Sequence, residues 1–171
     1  KPKRAKGSVV VEELIQQGKE LSDLHPNSIN TLRVVTFKNK DKVIIIGITI
    51  RIGCGGAVVD NAGSGGYFAS VNVDNGFINS DGINYNLHQI SHHPDTKIRL
   101  QGYQLPQWEN AISTINSIAK SLPFETIISW DIANSNPGWI MVEANESGIW
   151  NIMQTNQKKG KNGIIIHLID E

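Results

Sequence analysis

Apolar and polar positions alternate along the 171-residue chain with two different periods. Two runs rich in Val and Ile, Thr31 to Phe37 and Lys42 to Ile50, flank Asn39-Lys40-Asp41. Such runs around a short turn-forming segment predict a β-hairpin. A second pair, Thr126 to Ala133 and Trp139 to Asn145, flanks Asn134-Ser135-Asn136-Pro137-Gly138 and predicts another. Between the hairpins, Trp108, Ala111, Ile112, Ile115, Ile118, Ala119 and Leu122 recur at helical spacing. They predict an amphipathic helix with Pro106 in its first turn and Pro123 as its stop. The shorter signals are a strand from Ser8 to Leu14 and a helix from Gln16 to Leu24, ended by Pro26. Asn75-Gly76 and Asp81-Gly82 predict tight turns, the region around Trp150 a short helix, and Ile164 to Ile169 a closing strand. There is no internal repeat and no long linker. The class is α+β, mostly antiparallel sheet with a few covering helices.

Strand alternation gives the polar residues a geometry. Glu143 and Asn145 are two apart and share a face with Met141, while Ile140, Val142 and Ala144 take the other. A turn centred on Asn136 puts Asp131 across from Met141 and diagonal to Glu143, about 7–8 Å away at the backbone. Two carboxylates and a carboxamide on one side are hard oxygen donors of the kind that suit magnesium. The competing reading is an ordinary exposed sheet face. Apolar Trp130, Ile132, Val142 and Ala144 argue for a buried strand pair, in which two carboxylates without a cation would be costly.

In the first hairpin, a turn centred on Lys40 sets Arg33 opposite Gly47, with Thr49 and Arg51 on the same face. Two arginines there, with Gly47 leaving room, could clamp phosphoryl or carboxylate oxygens. Two solvated arginines on an outer face account for the hairpin equally well. The Gly53-Cys54-Gly55-Gly56 stretch, with Asn61 and Gly65-Gly66, matches neither the P-loop nor the dinucleotide spacing. It is either a flexible connection or a loop that offers backbone amides to phosphates. His25, His88, His92 and His93 lack partners at zinc-ligand spacing and are expected in loops. Cys54 is expected to be a plain loop cysteine.

Charge narrows the partners. Sixteen basic and sixteen acidic residues balance, which argues against nucleic-acid or membrane-surface binding through bulk charge. The cluster Lys1, Lys3, Arg4 and Lys6 is read as a frayed terminus. A single cysteine excludes an internal disulfide framework and suits a reducing, cytoplasmic setting. No apolar run reaches membrane-span length, so no membrane insertion is expected.

Several strings resemble the carboxy-terminal part of ATP-grasp ligases. They are Asn30-Thr31-Leu32-Arg33-Val34-Val35-Thr36, Arg51-Ile52-Gly53, Val58-Val59-Asp60-Asn61 with Gly65-Gly66, Ser129-Trp130-Asp131-Ile132-Ala133 and Val142-Glu143-Ala144-Asn145. His25-Pro26-Asn27-Ser28, His93-Pro94-Asp95-Thr96 and Gly102-Tyr103-Gln104-Leu105-Pro106-Gln107-Trp108 are similar to the sugar-transfer-associated group of that superfamily. The resemblance implies an ATP- and magnesium-dependent carboxylate ligase working through an acyl phosphate. Asp131, Glu143 and Asn145 would hold Mg2+, Arg51 would face the transferred phosphoryl group, and Arg33 would support it. Glu12 or Glu13, in a hinge strand at about 8–14, would meet the nucleotide, along with Asn61, Gly65 and Gly66. The partners implied are a nucleotide and a small carboxylate or sugar-linked substrate, with a role in polysaccharide or cell-surface sugar synthesis.

ATP-grasp enzymes close ATP between two lobes, and the lysine-bearing lobe would precede Glu12. Residues 1–171 are therefore expected to be one carboxy-terminal lobe that binds ATP weakly and does not turn over by itself. Two other functions remain: a noncatalytic nucleotide- or sugar-binding module on this sheet, or a small-molecule kinase.

Overall fold

The computed structural model describes residues 13–56, 65–124, 126–146, 150–157 and 160. Its framework is one antiparallel sheet of seven strands. In chain order the elements are α1 (Lys19–Leu24), β1 (Thr31–Asn39), β2 (Lys42–Ile52), β3 (Tyr67–Val71), β4 (Gly82–Ile83) and β5 (Gln89–Ile90). There follow α2 (Trp108–Lys120), β6 (Thr126–Asn134), β7 (Trp139–Asn145) and α3 (Trp150–Gln157). The strands lie in the order β5-β4-β3-β2-β1-β6-β7. Both predicted hairpins form, and β1, from the first, pairs directly with β6, from the second. The fold is the α+β arrangement that the sequence predicts.

The first face of the sheet carries the main core. Leu32, Val34, Ile48, Ile50, Trp130 and Ile132 project there, against Leu21 and Leu24 of α1 and Trp108, Ala111, Ile115 and Ala119 of α2. The apolar stripe of α2 explains its seating: these four residues fall on one side at helical period. Helix α2 starts at Trp108, so Pro106 lies before the helix rather than in its first turn. Its carbonyl accepts from Trp139 Nε1 at 2.9 Å, and Asn110 Oδ1 accepts from the Trp139 amide at 3.0 Å. The second hairpin is thus tied to the start of α2. At Gly76 a left-handed backbone (φ 73°) makes the predicted turn beneath Trp108, where a side chain would overlap the indole. Gly82, predicted in a turn, belongs to β4, and Leu100 packs where its Cβ would stand.

The second face is covered in part by α3. Met153 joins Val35 and Ile46, and Ile152 joins Phe68 and Ile83. A Cβ on Gly47 would overlap the Met153 sulfur. Gly47 therefore makes room for a side chain of the protein itself, not for a ligand as expected.

Two bulges correct the predicted registers. In β1–β2 the pairing runs Val35↔Gly47 and then Thr36↔Ile45, so Ile46 is the extra residue. The turn closes between Asn39 and Lys42 rather than on Lys40, and with the bulge this sets Arg33 opposite Thr49 rather than Gly47. In β6–β7, Asp131↔Glu143 is followed by Ile132↔Met141, which leaves Val142 extra. Asp131 thus lies directly opposite Glu143, and Met141 pairs with Ile132 instead. Burial also differs from expectation. β6 is buried along most of its length, but β7, at the edge of the sheet among the described residues, has Ile140, Met141, Val142, Glu143 and Ala144 all exposed.

Of the expected features, residues Ser8 to Glu12 of the strand Ser8 to Leu14, the closing strand at Ile164 to Ile169 and the residue Asn61 lie outside the described residues. Glu13 and Leu14, the end of the expected first strand, belong to no strand or helix.

Candidate functional site

The registers line up polar residues across the second face. One row crosses five strands: Ser70 on β3, Thr49 on β2, Arg33 on β1, Asp131 on β6 and Glu143 on β7. On one side of it runs Phe68–Arg51–Thr31–Ala133, and on the other Gly47–Val35–Ser129–Asn145. Directly paired antiparallel residues share a face. Asp131, Glu143, Asn145, Arg33 and Arg51 therefore all stand on one side of the sheet, opposite the main core.

The centre of this face is an ion cluster. Arg33 donates to Asp131 through both Nε, to Oδ1, and Nη2, to Oδ2 at 2.7 Å. Arg51 Nη1 donates to Asp131 Oδ2 at 2.8 Å. The Arg33 contact is a two-pronged guanidinium–carboxylate fork, the strong form of this pairing. All three groups are largely buried, with side-chain exposures of 11% for Arg33, 16% for Arg51 and 6% for Asp131. Glu143, paired with Asp131 across the strands, supplies a further carboxylate on the exposed strand β7. Beside the cluster, the hydroxyls of Thr49 and Ser129 are buried without a hydrogen-bond partner. Both belong to this face.

The predicted site residues divide accordingly. Arg33, Arg51 and Asp131 meet. Glu143 and Asn145 share the face; Glu143 is exposed and Asn145 is half-buried. Their donor chemistry suits a hard divalent cation. In this arrangement, though, Asp131 is engaged by arginine, and among the described residues no three His, Cys, Asp or Glu side chains gather closely enough to hold a metal ion. Glu13 lies apart from the cluster. It lines a cleft of about 390 Å³ with Leu14, Ile15, Gln16, Ser135, Asn136 and Ile140. Gly65 is exposed in a left-handed conformation (φ 91°), and Gly66 is buried where the chain enters β3. Glu12 and Asn61 lie outside the described residues.

The histidines, expected in loops without a role, give a different result. His25 and His93 are fully buried and hold the start of the glycine-rich loop. His93 Nε2 donates to the Gly53 carbonyl at 2.8 Å, and His25 Nε2 donates to the Gly55 carbonyl at 3.2 Å. Ser28 Oγ lies 2.9 Å from His25 Nδ1, and the amides of Asp95 and Thr96 donate to His93 Nδ1. Asp95 Oδ2 accepts from the Gly55 amide at 2.6 Å. With Nδ1 accepting and Nε2 donating, the His93 ring is neutral with its proton on Nε2. Burial lowers the His93 pKa below its ordinary value, opposed by the Gly53 carbonyl and Asp95. A signal for this anchor existed: the tetrad His-Pro-(Asn/Asp)-(Ser/Thr) occurs twice, at His25 and at His93. Cys54, in the same loop, has its thiol pKa raised by burial and by Asp95. That keeps it protonated and unreactive, as a plain loop cysteine should be.

No helix among the described residues is long and apolar enough to cross a membrane. No similar protein of established function and no similar solved structure was found. The model of one family, described as sugar-transfer associated ATP-grasp, matches residues 3–166. With a match over nearly the whole chain, and an antiparallel sheet carrying the expected arginines and carboxylates on one face, the chain belongs to the sugar-transfer associated ATP-grasp family.

Proposed function

We propose that the second face of this sheet is the phosphate and metal side of an ATP-grasp ligase, which activates a carboxylate with ATP. The carrying observation is the cluster of Arg33, Arg51 and Asp131, with Glu143 and Asn145 on the same face. Family membership supports the coarser statement, an ATP-dependent reaction of ligase type. The chemistry of these side chains supports the finer assignment.

Arg51 and Arg33 would neutralise the transferred phosphoryl group, whose equatorial oxygens gather charge in the transition state. Asp131, Glu143 and Asn145 would hold Mg2+, which when bound offsets the charge of the nucleotide's phosphates. In the first half-reaction a substrate carboxylate oxygen attacks the γ-phosphorus. The bond to the β-phosphate oxygen breaks and ADP leaves. In the second, a nucleophile such as an amine attacks the acyl carbon. Inorganic phosphate leaves, and the amine gives up a proton. The cleft beside Glu13 and Ile140 offers both a carboxylate and an apolar wall, a combination suited to the ribose and base of a nucleotide. The substrate would be a small carboxylate or sugar-linked compound, in keeping with the family's description.

Calorimetric titration with ATP, with and without Mg2+, tests the reading. Glu143 is exposed, so Glu143→Gln should leave the fold intact. We expect weak binding to this chain that strengthens with Mg2+, and loss of the Mg2+ effect in Glu143→Gln. An undiminished Mg2+ effect in that variant would remove the metal assignment.

A further inference from the structure

The two arginines proposed to meet the phosphoryl group are already bound to an anion, and that anion belongs to the protein. Asp131 accepts three hydrogen bonds from them, two at Oδ2 and one at Oδ1. An ionised carboxylate has about four acceptor positions, so little of this one is left for anything else. A divalent cation would need to approach one of these oxygens to about 2.1 Å. It would then sit next to guanidinium nitrogens 2.7–2.8 Å from the same carboxylate, where like charges repel strongly. The arginines and a cation therefore compete for Asp131. By the same logic, Asp131 and a phosphoryl oxyanion compete for the arginines.

A second observation points the same way. Thr49, opposite Arg33 in the pairing, and Ser129, two residues from Asp131, each bury a hydroxyl that has no partner. Buried hydroxyls are nearly always satisfied, so an exception needs a reason. Both flank the cluster on its own face, as expected if its closed arrangement is one of two and satisfies these groups less well than the other.

We infer that Asp131 is a built-in competitor that occupies the arginine anion site at rest, and that Arg33 and Arg51 pass from its carboxylate to a phosphoryl oxyanion when a divalent cation takes Asp131. This rests on the proposed function and adds its regulation: neither half of the site opens without the other. Cation and oxyanion then promote each other's binding, and by linkage the effect is mutual. No covalent step is involved.

The test uses orthophosphate alone and Mg2+ alone as probes. The chain has four arginines, so their side-chain Nε–H signals are easily resolved by nitrogen–proton NMR. Asp131→Asn should bind orthophosphate about ten-fold more tightly than the wild type, within the usual range of coupling between sites, with the Arg33 and Arg51 signals moving together. Equal or weaker binding overturns the inference. Should Asp131→Asn fail to fold, the wild-type chain answers the same question. Mg2+ should move the Arg33 and Arg51 signals away from their resting positions and tighten orthophosphate binding. Arginine signals that stay fixed while Mg2+ shifts the Glu143 and Asn145 backbone overturn it. The outcomes are separable from the reaction itself. Magnesium-ATP binding with unmoved arginines sinks the exchange and spares the proposed ligase. Moving arginines without any ATP binding support the exchange and count against the ligase.

Discussion

Asp131 holds the centre of the second face, so its removal should register strongly in stability. In Asp131→Asn the side chain keeps its shape but loses its charge. Arg33 and Arg51 then remain close together, 11% and 16% exposed, without the three charge-assisted hydrogen bonds they make to the Asp131 carboxylate. Breaking a buried ion pair by removing one partner costs about 3–5 kcal/mol, because the other charge is left behind. The value here should fall near the lower end, about 3 kcal/mol, since both guanidiniums keep some access to water. With a urea dependence of roughly 2 kcal/mol per molar, the unfolding midpoint should drop by about 1.5 M. A domain of ordinary stability, about 5–15 kcal/mol, survives that. The double variant Asp131→Asn/Arg33→Met should recover part of the loss, because it also removes one of the stranded charges. Urea denaturation followed by tryptophan fluorescence supplies the measurement. A midpoint within about 0.3 M of wild type would refute the reasoning, since it would mean that the three groups do not depend on each other for their charge balance.

Three further outcomes follow from the same structure. Gly47→Ala should destabilise by about 1–3 kcal/mol through overpacking against Met153. Gly47→Ala/Met153→Ala should recover much of that in the same denaturation assay, and a failure to recover would place the clash elsewhere. His93 is neutral in the folded chain with its pKa lowered, chiefly by burial. The unfolded chain therefore takes up the proton first, so this part of stability is present above about pH 6.5 and declines as the pH falls through it. Thermal unfolding at pH 7.5 and 5.5 should show the decline. His93→Gln should lose more at pH 7.5 than at 5.5, and an equal loss at both would contradict the buried neutral ring.

The two hairpins and the long helix were legible in the sequence because their apolar periods are long and end at turn residues. The common face of Asp131, Glu143 and Asn145 was legible too, since alternation alone places Glu143 with Asn145. What the sequence does not display is a bulge. Ile46 and Val142 each insert one residue into a ladder, and each fits the β-branched pattern as well as its neighbours do. Each bulge shifts the register by one position, and the turns, which close between Asn39 and Lys42 and between Asn134 and Trp139 rather than on Lys40 and Asn136, shift it by one more, so the Arg33 partner was misplaced by two positions and Asp131 was set opposite Met141. The burial of β7 was overestimated because its apolar residues resemble those of β6. Only the strand order shows that β7 lies at the edge. Gly47 was read as space for a ligand because nothing local reveals that Met153, more than a hundred residues later, fills it. The anchoring histidines escaped because each bonds to a backbone carbonyl, a partner that no side-chain spacing encodes.

The central claim is that this face binds the metal and phosphates of ATP. A structure of the chain soaked with Mg2+ and a nonhydrolysable ATP analogue tests it most directly. The account predicts the ion on oxygens of Asp131, Glu143 and Asn145, with Arg33 and Arg51 turned from Asp131 toward the terminal phosphate. An analogue bound elsewhere, or one bound on this face with no ion on those oxygens, would contradict it.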